Sequence, residues 1–143
     1  MLRKDIIKTK MKEMEESLRL IEGNMPETFE KFAVLGLVKD GIYKRVEFCI
    51  QNVLDICAII NSDLELGIPS SEEEIAENLV KNGILSTDLG ERVKRMKGFR
   101  NILVHRYGRI DDEVAFETIK EGINDFRTFM ENIEQLLQKN DSG

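Results

Sequence analysis

Residues 91–111 read ERVKRMKGFRNILVHRYGRID. At 100° per residue, Leu89, Val93, Met96, Leu103 and Val104 fall within about 100° of arc. That is the apolar stripe of a helix packed on its neighbours. Arg100 falls inside the stripe, between Val93, Met96 and Val104, while Lys97, Asn101 and His105 form a polar row along one flank at steps of four. His105 is the only histidine of the chain.

The same window concentrates charge. Arg92, Lys94, Arg95, Lys97, Arg100, Arg106 and Arg109 stand against the single acid Glu91 up to position 109, giving a formal +6 in a chain of net charge −6. An acidic protein with one basic segment points to a local anion site, not to general affinity for polyanions. A guanidinium centred on an apolar stripe needs a partner, because an unpaired buried charge is costly. Two readings of Arg100 stay open: a structural salt bridge to a neighbouring helix, or an anion site on a subunit interface. In the second, Arg100 meets the ligand and His105 moves a proton.

The rest of the chain repeats the helical period. Ile7, Met11, Met14, Leu18 and Ile21 recur at steps of four and three, which predicts a first helix over about Leu2 to Glu22, closed by Gly23 in a left-handed cap. A second, short helix is predicted from Pro26 to about Asp40-Gly41, with Glu27 in its first turn. A third, over about Ile42 to Asn61, carries a broad apolar face that suits a central position. Its polar row is Glu47, Gln51 and Asp55, any of which could pair with Arg100; Asp55 interrupts the apolar run and is the first choice. Ser71 with Glu74 fits a capping box opening a helix from Glu72 to Lys81, stopped by Asn82-Gly83. The next helix starts around Ser86-Thr87-Asp88 and stops near Tyr107-Gly108. Asp111 or Asp112 caps a last helix bearing Phe116, Ile119, Ile123, Phe126, Met130, Ile133 and Leu137, and Asn140 to Gly143 is expected to be a loose tail. No stretch alternates in the manner of a strand. The expected fold is therefore all-α, an up-and-down helical bundle with additional short helices, formed as a single domain over residues 1–143.

Composition narrows the function. A chain of 143 residues buries roughly two-thirds of its unfolded surface. No run of 18 apolar residues occurs and Met1-Leu2-Arg3-Lys4 leads into no signal-like segment, so a soluble, cytoplasmic protein without membrane contact is expected. Cys49 and Cys57 lie eight residues apart on one predicted helix, about 12 Å by helix rise, too far to bridge. With two Cys and one His, no zinc-type metal site and no cofactor is expected. A nucleophile elbow, a phosphate-binding glycine loop and a dinucleotide fingerprint are all missing from the sequence.

Arg100-Asn101-Ile102-Leu103-Val104-His105-Arg106-Tyr107 resembles the motif of HEPN-domain ribonucleases: Arg, a polar residue, a short spacer, then His. The tyrosine two residues past the histidine resembles the HepT-type toxins, which are paired with a minimal nucleotidyltransferase antitoxin. Pro26-Glu27-Thr28-Phe29, Gly36-Leu37-Val38-Lys39, Gly41-Ile42-Tyr43-Lys44 and Gly98-Phe99-Arg100-Asn101 also sit where that family has similar words, so the likeness covers nearly the whole chain. The resemblance implies a HEPN-like fold, a homodimer with a composite cleft, and a metal-independent endoribonuclease toxin. Arg100 and His105 would be its catalytic pair, and Tyr107 the acceptor of AMP from the antitoxin.

The chemistry is sound on its own terms. A histidine with a reference pKa near 6.5 can take the proton from a ribose 2′-OH. An arginine can grip the scissile phosphate on two sides and stabilise its growing charge. Attack from within the same nucleotide gains from proximity and leaves a 2′,3′-cyclic phosphate. Arg100 and His105 are about 140° apart on an ideal helix, so a two-fold dimer is the natural way to bring two motifs to one phosphate. Asn101 is expected to orient His105 or bind ligand, with Lys97 and Arg106 as supporting RNA contacts. The competing class is a non-catalytic module that binds nucleotide or a nucleotidyltransferase, with Arg100 and His105 as mere contacts; a plain helical scaffold is the third.

Overall fold

The computed structural model describes residues 1–141. It contains α1 (Lys4–Asn24), α2 (Phe29–Ala33), α3 (Leu37–Asp63), α4 (Glu72–Lys81), α5 (Thr87–His105), a 3-10 turn at Tyr107–Arg109, and α6 (Asp112–Asp141). No strand occurs among the described residues, and no helix there is long and apolar enough to cross a membrane.

The bundle is organised on α3, which packs against α1, α4, α5 and α6. At 27 residues it is about 40 Å long, and its buried positions lie on several sides, including Ile42, Val46, Ile50, Val53, Ile56 and Ile60. Helix α1 runs antiparallel to it. The Arg3 backbone amide and guanidinium bind Asp63 at 2.9 and 3.0 Å, tying the start of α1 to the end of α3. Ile7, Met14, Leu18 and Ile21 fill the seam between them, as the three-four spacing requires. Helix α6 closes the bundle: Arg127 reaches Glu15 and Glu22 on α1, and Asn132 Nδ2 donates to the Ile84 carbonyl at 2.8 Å.

Three boundaries differ from the sequence reading. The second helix is one turn of five residues, capped by Thr28, whose side chain accepts from the Lys31 amide. Its purpose is to seat Phe32, which is fully buried against Phe116 and Tyr43 at centroid separations of 5.3 and 5.8 Å. The chain breaks at Gly36, where φ is +62°, a value that L side chains adopt only under strain, and α3 starts there instead of at Ile42. Gly41 is therefore inside α3. Gly23 is not a left-handed cap: α1 runs through Asn24 and leaves through Met25 in an extended conformation. The expected tail at Asn140 is still helical through Asp141, and Ser142 and Gly143 lie outside the described residues.

Other signals read correctly. Ser71 accepts from the Glu74 amide at 3.2 Å, while the Glu74 carboxylate accepts from the Ser70 amide, one residue earlier than a standard capping box. Gly83 at φ +73° ends α4 with Ile84 N donating to the Leu79 carbonyl at 2.9 Å and Gly83 N to that of Val80 at 3.1 Å, the Schellman pattern. Asp111 caps α6, accepting from the amides of Glu113 and Val114 at 3.1 and 3.2 Å. Both cysteines are free and buried; burial pushes their thiols up to about 12, which leaves them unreactive near neutrality.

Candidate active site

Helix α5 carries the motif, and its position is fixed by α3 and α4. Leu89, Val93, Met96 and Leu103 anchor it in the core. Ser86 caps it by accepting from the Leu89 amide at 3.0 Å. The first basic residues hold it laterally. Arg92 pairs with Asp125 of α6 at 3.0 Å, Lys94 with Glu77 of α4 at 3.3 Å, and Lys97 with Glu73 of α4. The sequence reading took Lys97 as an RNA contact; its charge is spent within the chain, where it holds the Glu73 carboxyl below the usual carboxylate range.

Arg100 points between α3 and α4, and all its donors are engaged. Nη1 donates to Gln51 Oε1 at 2.9 Å and Glu72 Oε2 at 3.3 Å. Nη2 donates to Glu72 Oε1 at 2.9 Å and Asn101 Oδ1 at 2.8 Å, and Nε to Asn101 Oδ1 at 3.3 Å. The side chain is 15% exposed, so the charge is sheltered but reachable. Asp55, the first-choice partner, is not the one. It lies one turn beyond Gln51, receives Gln51 Nε2 at 2.9 Å and pairs with Lys10 of α1 at 3.3 Å. Glu72 was missed. It opens α4 within the acidic run Glu72-Glu73-Glu74, which complements the basic window, but nothing in the sequence says which acid meets which base.

Asn101 faces Arg100 and has no bond to His105, so the expected orienting contact is not formed. His105 is the last residue of α5, exposed, and its side chain has no hydrogen-bond partner among the described residues. Within one chain, then, no contact brings Arg100 and His105 together. Arg106 is exposed and caps the helix.

Tyr107 starts the 3-10 turn and is 48% exposed. Its hydroxyl donates to Asp40 Oδ1, and its ring meets Tyr43 edge-on at 6.2 Å and 90°. The hydrogen bond to Asp40 holds the phenol in its protonated form, up to about 12. Beneath, Tyr43 Oη donates to Asp112 at 2.5 Å and Lys39 pairs with the same carboxylate at 2.7 Å. A groove of about 410 Å³ opens here, lined by Asp40, Tyr43, Lys44, Glu47, Val104 and Tyr107. Tyr43 stood in the sequence only within the family-like stretch Gly41-Ile42-Tyr43-Lys44, with no role attached, and Asp40 only at an expected helix end, because a surface acid and a core tyrosine are ordinary residues of a helix.

Large apolar side chains are also exposed on or near α5: Phe48 is 37% exposed, Val104 47% on the α3 side, and Ile102 40% on the α6 side. Among the described residues no group of three or more His, Cys, Asp or Glu is arranged to hold a metal ion.

Known proteins share related sequences and this fold. The family model for HepT-like, "Ribonuclease HepT-like", matches residues 14–133. The mRNA nuclease HepT of Shewanella oneidensis is 28% identical over 96 residues, covering 67% of this chain and 72% of that protein. A solved structure of a tri-AMPylated Shewanella oneidensis HEPN toxin in complex with MNT antitoxin superposes with a TM-score of 0.84 at 25% identity, over 92% of this chain and 98% of the other. The cytosolic protein YutE of Bacillus subtilis, of unknown function, shares the fold with a TM-score of 0.84 at 17% identity, over 97% of this chain and 93% of that chain.

Proposed function

The chain belongs to the HepT-like ribonuclease family, and on that premise we propose that it is the endoribonuclease toxin of a toxin–antitoxin pair, cutting RNA without a metal. The observation that carries the reading is the division of labour at the end of α5. Arg100 is held in a fixed orientation by Gln51, Glu72 and Asn101, while His105 stands exposed and unpartnered one and a half turns later.

His105 takes the proton from the 2′-OH, the 2′-oxygen bonds to the adjacent phosphorus, and the bond to the 5′-oxygen breaks. A proton returns to that leaving oxygen, giving a 5′-hydroxyl and a 2′,3′-cyclic phosphate. Arg100 neutralises the charge that builds on the phosphoryl oxygens. The pair works across a homodimer, with Arg100 of one copy and His105 of the other at one phosphate. The exposed Phe48 and Val104 on the α3 side of the motif supply apolar surface for that second copy.

Control acts through Tyr107. A related HEPN toxin is tri-AMPylated and bound to its MNT antitoxin. We assign Tyr107 as the acceptor here and a minimal nucleotidyltransferase as the partner. The phenol oxygen bonds to the α-phosphorus of ATP, pyrophosphate leaves and the phenol proton is lost. The ester can no longer donate to Asp40 and places a negative phosphodiester beside that carboxylate, so the modified turn must leave its seat.

The test is a labelled single-stranded RNA with purified protein and excess chelator. Cleavage that persists and leaves cyclic phosphate ends is expected. Dependence on added metal, or 3′-hydroxyl products, contradicts the mechanism. The full occupancy of Arg100's donors favours one alternative, a binding module in which Arg100 is structural; binding of the RNA without cleavage selects it.

A further inference from the structure

The seven basic residues of the 91–111 window divide into two groups. Arg92, Lys94, Lys97 and Arg100 are each closed on an acid of the same chain. Arg95, Arg106 and Arg109 are exposed and have no side-chain partner among the described residues. These three line a single groove of about 470 Å³ between the second half of α5, the 3-10 turn and the first half of α6. In a chain with 27 acids, three neighbouring guanidiniums without a counter-ion make a local positive field.

The groove floor is apolar. Phe99 and Ile110 are partly buried in it, and Ile102 and Val114 expose 40% and 61% of their surface. The one acid present, Asp111, has its carboxylate turned to the Glu113 and Val114 amides, where it offsets the positive end of α6 and not the arginines.

We propose that this groove binds the sugar–phosphate backbone of the substrate RNA on one side of the cleavage point, a second contact site distinct from Arg100 and His105. The assignment rests on the ribonuclease reading above. Arg106 directly follows His105, so a strand lying in the groove leads into the reaction centre. Arg95 and Arg106 are eleven positions apart, about 16 Å along the helix, a reach that takes in several successive phosphates. Planar guanidiniums grip phosphate oxygens in pairs, and apolar side chains between them offer a platform for bases. An acidic protein surface would satisfy the charges but has no need of a path that ends at the histidine.

The experiment uses the full chain carrying His105→Ala, so that RNA is bound and not cut, with and without Arg95→Gln and Arg109→Gln. Anisotropy of a fluorescent single-stranded RNA of about 20 nucleotides is followed from ~50 to ~200 mM salt. The double substitution is expected to weaken binding at least about tenfold at the lowest salt. It should also make the dependence of log K on log salt shallower by about 1.4, two phosphate contacts at ~0.7 each. Neither arginine has a side-chain partner among the described residues, so the helical circular dichroism signal should not change. Unaltered affinity and slope overturn the groove while leaving the ribonuclease reading intact. Unaltered RNA binding with loss of a co-expressed nucleotidyltransferase overturns it in favour of a protein occupant. If the His105→Ala protein binds no RNA at all, both fall together.

Discussion

Arg100 Nη2 lies 2.9 Å from Glu72 Oε1, so the guanidinium assigned to the scissile phosphate is already closed on an acid. Substrate phosphate and Glu72 compete for the same donors. Glu72 sits in the first turn of α4 and is 38% exposed, which lets it swing into solvent. Glu72→Gln keeps an acceptor but removes the competing charge. It should lower KM for RNA by about threefold or more, the scale of a partly exposed ion pair. Steady-state cleavage measures it. A raised KM would mean instead that Glu72 positions Arg100 for the phosphate.

The proposed composite cleft makes a prediction that no single-chain site shares. Arg100→Ala and His105→Ala proteins should each be nearly inactive, but a mixed dimer would have one site with both residues intact and one with neither. Mixing them in equal amounts after subunit exchange should restore about a quarter of the wild-type rate, since about half of the dimers are mixed and each has one site. No recovery, with exchange verified by mass, contradicts the shared site.

Much of the bundle was legible because its helices obey one period. The seams of α1 and α6 follow directly from three-four spacing, Ser71 caps as expected, Ser86 caps the helix expected to start around 86–88, and of the two expected aspartates Asp111 is the cap. The α2–α3 boundary was not legible. Apolar residues run from Phe29 to Val38 with Gly36 among them, and an isolated glycine does not say by itself that the chain breaks there, at φ +62°, with Phe32 buried just before it. At the site, the motif residues could be named from order alone; of the partners of Arg100, Gln51 was one of three candidates and Glu72 was not among them. Gln51 and Asp55 are one turn apart on the same face of α3, and only the depth at which α5 packs selects Gln51.

Tyr107 should be the only position that takes AMP when the protein is co-expressed with its cognate nucleotidyltransferase. Intact-mass spectrometry is expected to show AMP-sized increments that disappear in Tyr107→Phe, with RNA cleavage silenced only in the modified protein. Increments that persist in Tyr107→Phe sink the assignment. Asp40→Ala, which releases the hydroxyl from α3, should speed the modification about twofold to tenfold, the worth of one exposed hydrogen bond.

Asp112 links the start of α6 to α3 through Lys39 and Tyr43. Burial pushes its carboxyl up, but the hydrogen bonds from Lys39 and Tyr43 and the Lys39 charge outweigh it and hold the group below the usual carboxylate range. A depressed folded pKa stabilises the fold above the unfolded pKa of about 3.9, and the contribution is lost as pH falls through the folded value. Asp112→Asn should therefore cost about 1 kcal/mol at neutral pH, discounted for partial exposure, with the gap from wild type closing below about pH 4. Urea denaturation at several pH values reads it; a constant gap down to pH ~2 would mean the ionised form is not what stabilises.

His105, acting with Arg100, is proposed to cut RNA by 2′-OH attack. The most direct measurement is the single-turnover cleavage rate of His105→Ala in chelator, on one RNA, beside wild type. A loss of at least about 100-fold is expected, the usual worth of a general base, with an unchanged helical signal. Cleavage by a pure His105→Ala preparation at the wild-type rate would contradict it.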